Sequence, residues 1–299
     1  MSQMLNQAVH TMPSPTSTFS DLIALTKPRL SALVIITAGG GLWLSGTSYS
    51  FLTAFSAISG TTLVVAAANT LNNYLERDSD KNMARTAGRP LPTGRMAAST
   101  ALAFGLILTA ISVPMLTFLT TPLAGLLAAV ALLLYVLVYT PLKRRSSINT
   151  LVGAIPGAMP PLIGWTAATG QIEVGGVLLF ALLFLWQIPH SLAITIYRRK
   201  EYEQAGLVML PSEHGMVATR RQMLLYTFAL LPLPLMLMHT GTCGLLTVLV
   251  GTGLGMWWLW KAWDGFLNEG AEKWARQFFL SSLVYLTGMF GILGLDTLI

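Results

Sequence analysis

Charge is scarce in this 299-residue chain: Asp, Glu, Lys and Arg together make up 10% of it, while 54% is apolar. A water-soluble domain carries about 25% charged residues, so that class is excluded. Cysteine is scarcer still. The single Cys243 rules out an internal disulfide and a cysteine-built metal cluster. The first 20 residues, polar and rich in Ser, Thr and Pro, have neither the basic and apolar regions of a signal peptide nor the arginines of a transit peptide. They read as a flexible cytoplasmic tail, 1–20, ahead of one domain, 21–299.

What the chain has in quantity is long apolar runs. Read against the breakers between them, they predict nine membrane-spanning helices, near 29–46, 51–75, 96–116, 122–142, 150–169, 174–196, 222–239, 243–262 and 277–296. The runs are continuous and do not alternate, so the expected fold is all-α and polytopic rather than a barrel. All 18 Lys and Arg residues lie before or at the start of the first span, in even-numbered connections or, for Lys261, at the edge of one, and none lies in the odd ones near 45–50, 117–121, 169–173 and 240–242. By the positive-inside rule the N-terminus is cytoplasmic and the C-terminus outside, in a membrane expected to be the bacterial inner membrane. These topogenic residues account for the net charge of +6 without a nucleic acid partner.

The odd connections are short and free of Lys and Arg, so function is expected on the cytoplasmic side. Asn72, Glu76 and Asp80 stand at i, i+4 and i+8. On a helix they form one stripe, drifting by about 40° and rising by about 6 Å per step. Two carboxylates so placed repel unless a cation sits between them. Oxygen ligands without His or Cys suit Mg2+, which binds through one or two carboxylates plus substrate phosphates. Asp78 points elsewhere. Lys81, Arg85, Arg89 and Arg95 follow, with Pro90, Pro92 and Gly94 folding the loop, so a diphosphate site and a plain salt-bridged loop both satisfy the pattern.

Two more even connections are polar. Lys143, Arg144 and Asn149 lie at a helix junction, and Gly153, Pro156, Gly157, Pro160, Pro161 and Gly164 interrupt the span that follows; such interruptions kink helices and can line cavities. In the third, His190 lies inside an apolar span beside Pro189, seven residues before Tyr197 and so on nearly the same face. An ionisable side chain there is a functional candidate, against the plainer role of a hydrogen-bonded interior residue.

These residues resemble the UbiA-type intramembrane prenyltransferases. The family's first signature is an Asn/Asp stripe followed by R-T-x-x-R-P-L, here Asn72, Glu76 and Asp80, then Arg85, Thr86, Arg89, Pro90 and Leu91. T-K-P-R at Thr26 to Arg29 and Y-T-P-L-K-R at Tyr139 to Arg144 extend the likeness over nearly the whole chain. Glu76 stands where many members have Asp. The second Asp-rich motif of members with aromatic acceptors is replaced by Y-R-R-K-E-Y, Tyr197 to Tyr202, in which Glu201 is the only carboxylate. That replacement, P-H at His190 and M-L-P at Met209 to Pro211 are similar to the branch whose acceptor is haem.

The resemblance implies a bundle around a central cavity open to the cytoplasm, and farnesyl transfer from farnesyl diphosphate to a vinyl group of haem B. It implies Mg2+ on Asn72, Glu76 and Asp80, with Glu201 a further candidate ligand. Asn73, Arg77, Lys81, Arg85, Arg89, Lys143, Arg144 and Arg198 are the implied diphosphate contacts, His190 and Tyr197 the haem contacts. Tyr74, Tyr139, Trp165, Trp186 and Tyr197 are candidates to line a dry cavity. A haem A synthase or an oxidase assembly factor is the implied downstream partner. Prenyl transfer to a quinone precursor is the nearest alternative; a small-molecule transporter is the alternative of another class.

Overall fold

The computed structural model describes residues 18–267 and 271–299, and over these the regular structure is helical. The expected tail lies outside the described residues as far as residue 17; Thr18 already opens a short helix, α1 (Thr18–Thr26). There follow α2 (Pro28–Leu44), α3 (Phe51–Asp80), α4 (Ala98–Leu119) and α5 (Pro122–Leu133), which passes through a π-helical turn (Leu134–Tyr139) into α6 (Thr140–Leu142). Next come α7 (Asn149–Thr169), α8 (Val174–Tyr197), and two short helices, α9 (Arg199–Gln204) and α10 (Leu210–Glu213). The remainder is α11 (Gly215–Ala229), α12 (Leu233–His239), α13 (Leu245–Leu267) and α14 (Ala271–Asp296).

Among the described residues eight segments are long and apolar enough to cross a membrane: α3, α4, the run Pro122–Leu142, α7, α8, the run Gly215–His239, α13 and α14. The first of the nine expected spans is α2, whose apolar part, Ala32–Leu44, is shorter than the rest. Several helices outrun the apolar stretches that announced them. α3 continues to Asp80, α11 begins at Gly215, and α14 begins at Ala271. The added turns carry Arg77, Arg220, Arg221, Lys273 and Arg276, residues that hydropathy reads as connection although straight-chain basic residues are good helix formers.

α7 organises the core. It contributes buried residues to two apolar clusters, one shared with α2 to α5 and the other with α8 and α11 to α14. Its contact with α2 is backbone to backbone: a Cβ on Gly41 would lie 1.9 Å from the Pro161 carbonyl oxygen, and one on Gly164 would lie 2.0 Å from that of Ala38. Only glycine admits such an approach, which is how membrane helices gain close van der Waals packing. The prolines expected to interrupt this span do not: Pro156, Pro160 and Pro161 lie within a continuous helix, braced on both sides by neighbours, a setting in which membrane helices tolerate proline. A real break comes between α11 and α12, at Leu230–Pro232.

At one end of the bundle the connections interlock. Val208 donates its backbone N–H to the Lys143 carbonyl at 2.8 Å, and the Asn149 side chain donates to the Val208 carbonyl at 2.8 Å. The Ser147 N–H donates to Glu213 Oε2 at 2.8 Å. Met83 packs with Ala205, Leu207, Met209 and Tyr202. The loop after α3 and the loop after α8 therefore form one layer over the polar end of α3.

Candidate active site

The last three turns of α3 are polar yet buried. Asn69, Asn72, Asn73 and Asp80 are all shielded from solvent, and a buried polar group needs a partner. Asn69 and Asn73 find theirs in α1, donating to the carbonyls of Thr26 at 3.3 Å and Leu25 at 3.0 Å. They hold the end of that short helix, whose last carbonyls have no acceptor role within it.

Each member of the expected stripe meets a cation from a different part of the chain. Glu76 Oε1 accepts from Lys143 Nζ at 2.9 Å. Asp80 Oδ2 accepts from an Arg89 guanidinium nitrogen at 2.6 Å, and the same nitrogen donates to Asn73 Oδ1 at 3.0 Å. Asn72 accepts from Lys27 Nζ at 3.3 Å and donates to Thr140 Oγ1 at 3.1 Å. The two carboxylates of the stripe are thus each met by a cation of their own, Lys143 for Glu76 and Arg89 for Asp80. Burial pushes the Lys27 ammonium down to about 7, with the positive charges of Arg89 and Lys143 adding to the effect. Burial also works against the Lys143 ammonium, but Tyr139 and Glu76 beside it more than offset this, and its pKa lies above the ordinary lysine value.

Lys27 was absent from the expected site. Among the described residues it is the only non-glycine with positive φ, at 52°, a left-handed conformation that costs about 1–2 kcal/mol. The following Pro28 disfavours the right-handed helical region for it, and the turn delivers its ammonium to Asn72 between α1 and α2. The signal was the Lys-Pro pair in T-K-P-R. Thr140 was also missed. It sits where the π-helical turn rejoins α6; its backbone N–H donates to the carbonyl of Tyr135, five residues back, a spacing frequent at functional sites, and its hydroxyl donates to the same carbonyl at 2.8 Å. The turn sets Tyr135 and Tyr139 against each other, ring centroids 5.1 Å apart, with the Lys143 ammonium 4.5 Å over Tyr139. Gly153 leaves room for the Tyr139 ring, which a Cβ there would meet at 2.5 Å.

Beside this charged cluster, between α2, α3, the π-helical turn, α7 and α8, lies an apolar cavity of about 300 Å³. Asn69 and Tyr135 face it from the charged end, and Trp186, Gln187 and His190 from α8. His190 is fixed on three sides. Its ring stacks on Trp186 at 4.5 Å and lies 4.7 Å from Phe279, and its Nδ1 is 2.6 Å from Ser282 Oγ. The Ser282 hydroxyl donates to the Phe279 carbonyl at 2.6 Å, which leaves its oxygen to accept from Nδ1 of His190. Trp186 in turn donates to the Ser282 carbonyl at 2.8 Å.

Other expected contacts fall elsewhere. Arg77 and Lys81 turn outward to Asp78, at 3.8 and 3.1 Å. Arg85 and Arg144 are exposed. Arg198 pairs with Glu201, and no three His, Cys, Asp or Glu side chains converge among the described residues, so Glu201 does not join Glu76 and Asp80. Of the five aromatic candidates only Trp186 lines the cavity. Trp165 is buried at the far end of α7, donating to Glu173 at 2.7 Å; Tyr74 packs with Leu25, Leu91 and Met96. What the structure gathers is an oxygen donor set of one amide and two carboxylates ringed by Lys27, Arg89 and Lys143. Hard oxygen donors of this kind fit Mg2+, and the cations fit phosphate oxygens.

The comparisons with known proteins agree with this chemistry. The profile described as the UbiA prenyltransferase family matches residues 33–283. A protein named protoheme IX farnesyltransferase from Myxococcus xanthus (strain DK1622) is 47% identical over 98% of this chain and 98% of its own. One of the same name from Anaeromyxobacter dehalogenans (strain 2CP-C) is 48% identical over 94% and 95%. Among solved structures, the apo UbiA homolog from Aeropyrum pernix K1 superposes with a TM-score of 0.72 at 21% identity, covering 90% of this chain and 96% of that one. The UbiA homolog from Archaeoglobus fulgidus bound to DMAPP and Mg2+ gives 0.68 at 14% identity, covering 92% and 99%. The likeness therefore runs through sequence and backbone alike from the first long helix to the last, and the chain belongs to the UbiA prenyltransferase family.

Proposed function

We propose that this chain transfers the farnesyl group of farnesyl diphosphate to the 2-vinyl group of protohaem IX and adds water, giving haem O. The observation that carries this is the 47% identity over nearly the full length to a protein named protoheme IX farnesyltransferase. Mg2+ held by Asn72, Glu76 and Asp80 would supply Lewis-acid charge to the departing diphosphate. Lys27, Arg89 and Lys143 donate to the phosphate oxygens and hold the allylic carbon toward the cavity. As the C1–O bond breaks, both electrons leave with the diphosphate, and these fixed cations meet the charge that develops. The terminal vinyl carbon gives its π electrons to C1, which leaves positive charge on the carbon next to the porphyrin. A water oxygen takes that position, and its proton passes to solvent or diphosphate. The apolar walls around Trp186 keep water from the allylic carbon before the new C–C bond forms, and Nε2 of His190 faces the acceptor.

The same reading covers topology. α2 starts beside Asn72 and ends where α3 begins, so it covers the stretch from Phe51 to Asn72, on the order of 30 Å at 1.5 Å per residue. It is the ninth span, with the N-terminus and the stripe in the cytoplasm, the C-terminus outside, and the bacterial inner membrane the location. The test is to incubate purified protein with haem B, farnesyl diphosphate and Mg2+, with an aromatic quinone precursor as a parallel acceptor, and to identify products by mass. Haem O is expected. Prenylation of the aromatic acceptor alone would overturn the assignment.

A further inference from the structure

A second, larger cavity of about 840 Å³ opens between the end of α8 and the start of α14. Its walls include Tyr197 and Arg198 on one side and Lys273, Arg276 and Phe279 on the other; Glu272 is the one carboxylate. Arg198 is held by Glu201. Lys273 and Arg276 form no ion pair among the described residues. Cationic groups therefore stand on both sides of the space, Arg198 from α8 and Lys273 and Arg276 from α14, and the Phe279 ring lies 5.9 Å from that of Tyr197. Phe279 is also the ring that packs on His190, at 4.7 Å, and His190 lines the inner cavity. One aromatic side chain therefore stands between the two spaces.

A space of this size, bordered by Arg198, Lys273 and Arg276 and walled in part by Tyr197, Phe279 and Leu280, suits a large flat molecule that carries both an apolar face and anionic groups. Protohaem IX has that distribution: two propionates on one side of the macrocycle and the vinyl groups on the other. Taking farnesyl transfer to haem as the activity, we propose that the cavity between α8 and α14 seats the acceptor by its propionate edge. Lys273, Arg276 and Arg198 receive the carboxylates, and the vinyl edge passes Phe279 toward the inner cavity. Arg198 then serves the acceptor and not the diphosphate. Tyr197 and His190, two turns apart on nearly the same face of α8, contact the macrocycle from the two sides of Phe279. The competing account, in which Lys273 and Arg276 serve only to orient the helix in the membrane, expects no dependence on the ligand's carboxylates.

The test uses the full chain in nanodiscs of neutral lipid, titrated by Soret absorbance with haem and with haem dimethyl ester, which lacks the two charges. The unaltered chain is expected to bind haem more tightly than the ester. The double variant Lys273→Gln/Arg276→Gln is expected to lose roughly tenfold in haem affinity, the scale of two partly exposed charge pairs. Its affinity for the ester and its KM for farnesyl diphosphate should not change. The charge-preserving pair Lys273→Arg/Arg276→Lys should restore haem binding, which separates lost charge from lost fold. Equal binding of acid and ester by the unaltered chain, or unchanged haem affinity in the double variant, overturns the seat even if haem O is made. A difference that appears only when anionic lipid is added marks a headgroup site and overturns it as well. Carboxylate-dependent haem binding with no haem O formed supports the seat and overturns the parent activity instead.

Discussion

Single residues on α3 separate by which way they face. Asp78 pairs outward with Arg77 and Lys81, while Glu76 and Asp80 face Lys143 and Arg89 inside. Glu76→Gln and Asp80→Asn are each expected to remove at least about 3 kcal/mol of transition-state stabilisation, seen as a loss of turnover of two orders of magnitude or more with protein still present in the membrane. Asp78→Asn should lower turnover by about fivefold at most, since an exposed pair contributes about 1 kcal/mol or less. An essential Asp78 beside a dispensable Asp80 would contradict the facing argument. His190 is the residue to test on the acceptor side. His190→Ala should weaken haem binding and shift the Soret band while leaving affinity for a farnesyl diphosphate analogue within about twofold. Equal loss for both ligands would reduce His190 to a packing residue between Trp186 and Phe279.

Among elements, what could be read in the sequence was whatever depends on near neighbours in the chain. The stripe was legible because helical period is local: Asn72, Glu76 and Asp80 face one way as soon as α3 forms. Lys27 was not, since its contact with Asn72 spans 45 residues and exists only once α2 folds back along α3. Helix ends were misjudged where basic residues such as Arg220 and Arg276 continue a helix beyond its apolar run. The misreading of α7 has the same origin, because proline is a breaker only when no neighbour braces the helix, and here α2 lies against it through Gly41 and Gly164. Gly164→Ala must push α2 from α7 and is expected to destabilise the fold by about 2–3 kcal/mol. A thermal midpoint in detergent lowered by several degrees would show it; an unchanged midpoint would mean that the two helices separate freely.

At the scale of the whole molecule, the connections that carry Lys and Arg alternate with connections that carry none, so on the proposed topology orientation and active-site placement are one decision. Reporter fusions at Gly170 and Gly88 should report opposite sides, Gly170 outside and Gly88 in the cytoplasm; both on one side would sink the nine-span topology. The three cations already bound along the stripe have a thermodynamic consequence. If the stripe is the proposed metal and diphosphate site, metal arriving alone would displace Lys143 and Arg89 from their carboxylates, and diphosphate arriving alone would draw the same cations from partners left bare. Arriving together, the two ligands exchange partners, and no charge is stranded. Each should therefore tighten the other's binding by the same factor, as linkage requires, and calorimetry with Mg2+ and a non-hydrolysable diphosphate, added singly and then together, is expected to show synergy of roughly tenfold or more. Independent binding would mean that those ion pairs open on their own. On the proposed reading, the ion pairs along the stripe act as a toll on each ligand alone that the two together do not meet.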